Sequence, residues 1–454
     1  MHLHILGICG TFMGGIAALA KAHGHTVTGC DQNVYPPMSD QLAALGITPI
    51  EGFDAEQIEL APDVFVVGNV VSRGNPLMEA ILDAGLAYAS GPQWLAAHVL
   101  RGRRVVAVAG THGKTTTTSL VAHLLEHAGL EPGFLVGGVP ADFGVSARLG
   151  TGAPFVVEAD EYDTAFFDKR AKFVHYAPEI AVLNNLEFDH ADIYADLAAI
   201  EWQFHQLLRI VPRKGRVVFN ARDDNLMRVL ARGCWTPTLS FDGEGGRDAD
   251  VALAHAGGAR LAATIDGADH EASWTMPGAH NRQNAAAAVA ACLALGVPAD
   301  TVLEGLATFR GVKRRLEVVA TGGQVTVYDD FAHHPTAIRL TVGAMREADE
   351  GGRLLVAFEP RSNTMKLGVH RDALGPAFAG VDGLFVLAPA ALDWDLVGAL
   401  AGGADDVTVH DGVAALHESI MAALRPGDRL VLMSNGGFGG LRERLVTSIG
   451  AAAA

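Results

Sequence analysis

Basic residues are what this chain is short of: 34 lysines and arginines stand against 51 aspartates and glutamates, a formal net charge of −17. A chain of that sign lacks the basic face that general nucleic-acid binding requires, so no nucleic-acid partner is expected. Any anionic ligand must be held by local devices: helix N-termini, glycine turns and single lysines or arginines. Cysteine is scarce as well. Cys9, Cys30, Cys234 and Cys292 are scattered without metal-ligand spacing, which excludes a disulfide framework and points to reduced thiols in a cytoplasmic protein. Long apolar runs are missing, since none approaches the ~20 residues that cross a bilayer, and no membrane partner is expected. The opening stretch MHLHILGICGTFMGG carries neither a basic lead nor a cleavage site, so no signal peptide is expected.

What is present is a globular composition over 454 residues, 49% hydrophobic and 19% charged, enough for two to four domains. Short apolar runs alternate with helical patterns throughout, which is repeated βα and implies parallel sheets. HLHILGICG, HTVTGCD and DVFVVGN read as strands of a first unit. FVVEADE, IAVLNN and GRVVFN, with the helices LAAIEWQFHQLLRIV and Asn281 to Leu295, read as a second. VTVYDDF, RLLVAFEP, GLFVLAP and RLVLMSN, with intervening helices, read as a third. The fold class is therefore α/β, as three consecutive domains with mainly parallel sheets: a Rossmann-like segment over 1–102, a P-loop ATPase-like central segment over 103–309 and a Rossmann-like segment over 310–454. Asp242 to Asp250, rich in glycine and aspartate, reads as a surface excursion.

The most telling stretch is VVAVAGTHGKTTTT, Val105 to Thr118, a buried strand running into a glycine-turned, lysine-bearing helix start. Gly110 and Gly113 let the backbone turn with its N–H groups inward, Lys114 adds a mobile cation, and Thr115 offers a hydroxyl to a magnesium ion. The spacing is G-x-x-G-K-T, shorter than the usual P-loop because Val108 stands where its first glycine would be. Four threonines in a row are poor helix formers, which implies hydroxyls kept for a ligand.

Other constellations lie at strand ends, where such sheets line their ligand crevices. Gly7, Gly10 and Gly14 follow the first strand and Asp31 ends the second. That is the outline of a dinucleotide-type turn with the wrong spacing for G-x-G-x-x-G, and it suits a nucleotide diphosphate. The loop from Gly68 to Asn75, with Ser72, should face the same ligand. In FVVEADEYD, Glu158 is the first choice to complete a magnesium site with Thr115, and Asp160, Glu161 and Asp163 read as a solvated acidic loop. Asp189, His190 and Asp192 form a polar cluster that suits a second magnesium better than zinc, since no second histidine has ligand spacing. Asn281 and Asn284 lie three apart at a helix start. They either read a base or an acyl-phosphate oxygen, or serve as cap and surface. Asp329, Asp330, His333 and His334 suit ribose hydroxyl binding or proton handling. Arg361, after a strand, is placed to grip a carboxylate.

Taken in order, GTHGKTT, VVEADEYD, NNLEFDHAD, AHNRQN, RRLEV and DDFAHHPT resemble the Mur ligase family of ATP-dependent amide-bond-forming enzymes, over essentially the whole chain. The resemblance implies ATP as co-substrate, held by Gly110, Thr111, His112, Gly113, Lys114, Thr115 and Thr116 with Asn281, Asn284, Arg315 and Asp330. It implies Mg2+ on Thr115, Glu158 and His190, and catalytic roles for Lys114 and His333. A UDP-sugar, UDP-N-acetylmuramate, would sit on Gly7, Gly10, Thr11, Gly14, Asp31 and Ser72. Within the family, GICGTFMGG, FEPRSNTMK and SNGGFGG resemble members whose incoming amine is a murein tripeptide held by Arg361, with single L-alanine as the alternative amine. One departure stands out: several relatives carry a carbamoylated lysine in the helix after the DHAD-like motif, and LAAIEWQFHQLL has no lysine.

Overall fold

The computed structural model describes residues 1–452 apart from 35–37, 192, 246–247, 349–350 and 390–391. The described residues form two compact units, one made of Met1–Phe188, Asp196–Trp274 and Gln283–Arg310, the other of Asp189–Ala195, Thr275–Arg282 and Gly311–Ala454. No helix among them is long and apolar enough to cross a membrane.

The first unit holds two large sheets and a two-stranded hairpin among its described residues. Strands β1 (His2–Leu6), β2 (Thr26–Asp31), β3 (Ile50–Glu51), β4 (Val64–Val67) and β5 (Tyr88–Ser90) form a sheet in the order β3-β2-β1-β4-β5. Every pairing in it is parallel. The order reverses at β1, so the helix Thr11–Ala22 starts at the crevice where such sheets take nucleotides.

The second sheet is built on β6 (Arg104–Ala109), β7 (Gly133–Leu135), β8 (Ala147–Arg148), β9 (Pro154–Glu158), β12 (Ile180–Leu183), β13 (Arg216–Asn220), β14 (Thr238–Asp242), β15 (Val251–His255), β16 (Arg260–Ile265) and β17 (Ala268–Ser273). Its order is β17-β16-β15-β14-β13-β12-β6-β9-β7-β8. β6 is apolar on both faces because the sheet is covered on both, and Val105 to Ala109 are all buried. The two sheets share a unit because side chains cross between them. A Cβ on Gly15, in the helix Thr11–Ala22, would collide with Leu135 of β7. The hairpin β10 (Asp163–Ala165) and β11 (Asp168–Ala171) carries Phe166 and Phe167 at its tip, packed against the core of the first sheet.

The second unit holds β18 (Glu317–Gly322), β19 (Val325–Asp330), β20 (Leu354–Phe358), β21 (Gly383–Leu387), β22 (Val407–His410) and β23 (Arg429–Met433), in the order β18-β19-β23-β20-β21-β22. Only the β18–β19 pairing is antiparallel. Two apolar layers, one around Val356, Phe358 and Phe378 and one around Leu430, Leu432 and Leu441, cover its faces.

His4 in β1 is fully buried, held between Thr28 Oγ1 at 2.8 Å and Gln57 Oε1 at 3.0 Å. Burial pushes its imidazole down to about 4, against the raising effect of Gln57. Below the ordinary histidine value the unfolded chain binds a proton that the folded chain refuses, so stability is lost as pH falls from about 6.5 toward about 4. The loss is about 1.4 kcal/mol per pH unit within that window. In urea unfolding at pH 7 and pH 5, His4→Gln is expected to show a flatter pH dependence than the native chain. Equal slopes would show that His4 does not set the acid limit.

Candidate active site

The phosphate loop lies between β6 and the helix Lys114–His127, and the strand order explains its surroundings. β6 is flanked by β9 and β12, with Val108 opposite Glu158 and Ala109 opposite Leu183. The chain leaving β9 therefore brings carboxylates to one side of the loop, and the chain leaving β12 brings Asn184 and Asn185 to the other. Asn185 Oδ1 accepts from His112 N at 2.7 Å, and its Nδ2 donates to His112 O at 3.0 Å. Asn184 Nδ2 donates to Thr117 Oγ1 at 3.1 Å and to Asn284 Oδ1 at 3.0 Å. Thr111 Oγ1 accepts from Glu187 N at 2.8 Å. Gly113, the residue before the helix, has φ +77 and, as a glycine, provides no side-chain cap of its own.

Lys114 Nζ lies 2.8 Å from Glu161 Oε2 and 3.3 Å from Asp160 Oδ1. Burial alone would lower its pKa, but Glu161, Asp160 and Glu158 outweigh burial and hold the ammonium above the usual lysine range. It is a permanent cation. Thr115 Oγ1 donates to Glu158 Oε1 at 3.0 Å, and Glu158 Oε2 accepts from Gly137 N at 2.7 Å. A hydroxyl and a carboxylate brought together in this way are hard oxygen donors of the kind magnesium takes.

The acidic run after β9 differs from the solvated loop its composition predicts. Glu161 is buried and grips Lys114, and Asp163 pairs with Lys169. Nor are all four threonine hydroxyls turned to a ligand, since Thr117 donates to Asn284 Oδ1 at 3.2 Å.

The glycine turn after β1 is held by Gly7 N and Ile8 N, both donating to Cys30 O. Asp31 Oδ2 accepts from Cys9 N at 2.9 Å, so this carboxylate shapes the turn at the start of the helix that opens with Thr11. Gly10 is that helix's exposed N-cap and makes no side-chain bond, Gly14 is packed against Met38, and Ser72 is exposed on its loop.

Asn284 belongs to the first unit, and Asn281, His190, Arg315, Asp330, His333 and Arg361 belong to the second. Asn281 Nδ2 donates to Pro277 O at 2.7 Å, which closes the turn before its helix. Asp330 is buried, and its carboxylate accepts from Leu316 N and Ala332 N, both at 2.8 Å. Burial raises its pKa, against the lowering effect of Arg315. The guanidinium groups of Arg314 and Arg315 lie 5.2 and 5.1 Å from the centre of the Phe331 ring. His333 Nδ1 is 3.0 Å from Phe331 O. His280, half-buried, is pushed down to about 4 by desolvation first and by the charges of Arg315 and Arg282 second.

His190 has φ +57, and its N–H donates to Asp189 Oδ1 at 2.7 Å. Burial would raise the Asp189 carboxyl, but His190, His334 and His333 hold it at about 2. Asp192 lies outside the described residues. Because Phe358 pairs with Met433, the loops after β20 and β23 run side by side, and exposed Arg361 lies across Gly436 so closely that a Cβ there would collide with its guanidinium.

Patterns of three family segments tile the chain in order: "Mur ligase family, catalytic domain" over residues 2–103, "Mur ligase middle domain" over 108–292 and "Mur ligase, glutamate ligase domain" over 314–436. The chain is also 47% identical over 451 residues to the UDP-N-acetylmuramate–L-alanyl-gamma-D-glutamyl-meso-2,6-diaminoheptandioate ligase of Escherichia coli K12, covering 99% of this chain and 98% of that protein. The chain belongs to the Mur ligase family. Among solved structures, this Mur ligase resembles a murein peptide ligase of Psychrobacter arcticus 273-4, with TM-score 0.77, 42% identity and all of both chains covered. It is 35% identical to the UDP-N-acetylmuramate–L-alanine ligase of Acidothermus cellulolyticus, over 98% of this chain and 94% of that one.

Sequence reasoning missed the partners that fix the Mur ligase phosphate loop. Asn184 and Asn185 were legible only as part of a polar cluster, because their role follows from β12 lying beside β6, which spacing along the chain does not reveal. The helix Leu197–Leu208, which has no lysine, carries buried Glu201 instead, paired with Arg228 and Arg232.

Proposed function

We propose that this Mur ligase joins the carboxylate of UDP-N-acetylmuramate to the amine of the tripeptide L-Ala-γ-D-Glu-meso-diaminopimelate, using ATP and releasing ADP and phosphate, as a cytoplasmic step of peptidoglycan recycling. The observation that carries the reading is the constellation around Lys114: a permanent cation, a glycine-turned helix N-terminus and a Thr115–Glu158 pair. The 47% identity to a ligase named for that tripeptide, against 35% to one named for L-alanine, supports the choice of amine.

A carboxylate resists attack by an amine because oxide would have to leave. Phosphorylation by ATP turns one of its oxygens into part of a phosphate leaving group. The amine then attacks the acyl carbon of the acyl phosphate, a tetrahedral intermediate forms, and inorganic phosphate departs. Lys114 and the loop N–H groups stabilise charge on the transferring phosphoryl group, which is where such catalysis resides. Magnesium, held by Thr115 and Glu158, would neutralise phosphate charge. In this reading 1–102 binds the UDP-sugar, 103–309 binds ATP, and 310–454 binds the peptide through Arg361, with Asn281, Asn284, Arg315 and Asp330 on the nucleotide and His333 handling a proton.

ADP release in the presence of UDP-N-acetylmuramate, measured with the tripeptide and with L-alanine in parallel, tests the reading. Turnover is expected with the tripeptide at least about tenfold above L-alanine, the scale of one missing set of charged contacts. Turnover with L-alanine alone would overturn it in favour of the single-amino-acid ligase.

A further inference from the structure

We propose that Lys172 binds the carboxylate of the sugar acid, on the far side of Asp160 from Lys114. The inference rests on the reading above and adds a substrate contact to it.

Lys172 opens the short helical turn Lys172–His175 just after the hairpin whose tip, Phe166 and Phe167, packs on the first sheet. A lysine is rarely buried without a close ionic partner. Here the side chain is only 9% exposed, and the described carboxylate beside it, Asp160 Oδ2, is 3.6 Å away, longer than the 2.8 Å between Lys114 and Glu161. The ammonium instead lies over two aromatic rings, 5.3 Å from the centre of Phe12 and 5.6 Å from that of Tyr162. Aromatic faces hold a cation while leaving its N–H donors for an anion.

The position carries the argument further. Phe12 is the second residue of the helix Thr11–Ala22, which starts at the glycine turn of the first sheet. Asp160 is shared, with one oxygen 3.3 Å from Lys114 and the other 3.6 Å from Lys172. Lys172 therefore stands between the turn that suits the nucleotide sugar and the loop that suits ATP. A second buried polar group belongs to the same neighbourhood. The Tyr176 hydroxyl has no hydrogen-bond partner among the described residues, and the phenol is pushed well above its usual range by burial first and by Asp160 and Glu158 second. A phenol that stays protonated and buried is a donor awaiting an acceptor. An ammonium and a neutral hydroxyl donor are what a carboxylate needs when it must sit close to Asp160.

UDP-N-acetylmuramate and UDP-N-acetylglucosamine differ by the lactyl acid, so their binding to the full chain, measured by calorimetry, isolates the carboxylate. The native chain is expected to prefer the acid. Lys172→Met should weaken UDP-N-acetylmuramate by about 10- to 100-fold, leave UDP-N-acetylglucosamine and the KM for ATP unchanged, and so erase the preference. Lys172→Arg should restore part of it, and Tyr176→Phe, which keeps the ring packing, should reduce it less. If Lys172→Met keeps the preference, the proposal is wrong. It is equally wrong if both sugar nucleotides and ATP weaken together with a lowered Tm, since that marks a packing role. If the native chain does not distinguish the two sugar nucleotides, the ligase reading itself fails.

Discussion

Lys114→Ala is expected to lower kcat by about 10³-fold or more, the scale on which a cation aimed at a transferring phosphoryl group acts. Three features of the native geometry set the size. The side chain is only 11% exposed, so its charge is weakly screened. It stays charged through the working pH range, because Glu161, Asp160 and Glu158 hold its pKa above the ordinary lysine value against the opposing effect of burial. And it stands at the first position of the helix Lys114–His127, where the helix dipole adds positive potential to its own charge. The variant also strips buried Glu161 of its cation, which at a buried pair costs about 3–5 kcal/mol. The sign with pH follows from a raised folded-state pKa. The stabilisation by Lys114 is fully present below the unfolded-state value of about 10.4 and is lost only as pH rises through the higher folded value, so the loss in Tm should be the same at pH 6 and pH 8. Lys114→Arg separates the two effects. It keeps a cation for Glu161 and hence most of the Tm, but it replaces a compact ammonium with a wider fork and should still turn over poorly. Undiminished ligation by Lys114→Ala would remove the basis of the proposed mechanism.

Much of this was legible along the chain. The strand Val105 to Ala109, its glycine turn and the helix beginning at Lys114 were readable because all the signals are local: an apolar run, two glycines and a lysine. The same holds for most strands of the third segment, each an apolar run closed by polar residues. What was not legible depends on which strands become neighbours. Gly436 and Arg361 are 75 residues apart by number, and only the parallel pairing of β20 with β23 lays one across the other. The acidic loop after β9 reads as solvated because acidic residues usually are. That Glu161 turns inward depends on Lys114, which reaches it from a different strand end. The strands β15 to β17, an antiparallel extension at one edge of the ten-stranded sheet, were hidden by polar alternation such as Ala268–Ser273, whose burial pattern is mostly exposed.

The loop itself supplies the second large effect, Gly113→Ala. Gly113 has φ +77, a left-handed conformation that costs a residue with a Cβ about 1–2 kcal/mol. The added methyl also has no room. It would overlap Asn284 Oδ1 and lie 2.7 Å from Asn184 Nδ2, two buried amides joined to each other and to Thr117. Neither amide is a flexible side-chain end that can swing into solvent, so relief requires breaking the Asn184–Asn284 bond or shifting the helix start. A broken buried hydrogen bond adds about 1–3 kcal/mol, giving a total destabilisation of about 2–5 kcal/mol. The same shift moves the N–H groups at Lys114 and Thr115 away from the phosphates, and the KM for ATP should rise by about 100-fold or more, the conversion of about 3 kcal/mol of lost contact. Gly74→Ala is the matched control, because Gly74 has φ +87 and nothing within 4 Å of its added Cβ. It pays the backbone strain without the collision, so it should lose Tm and keep its affinity for ATP. Equal KM values for the two variants, measured by ADP release, would show that the packing of Gly113 against the two asparagines does not shape the nucleotide site.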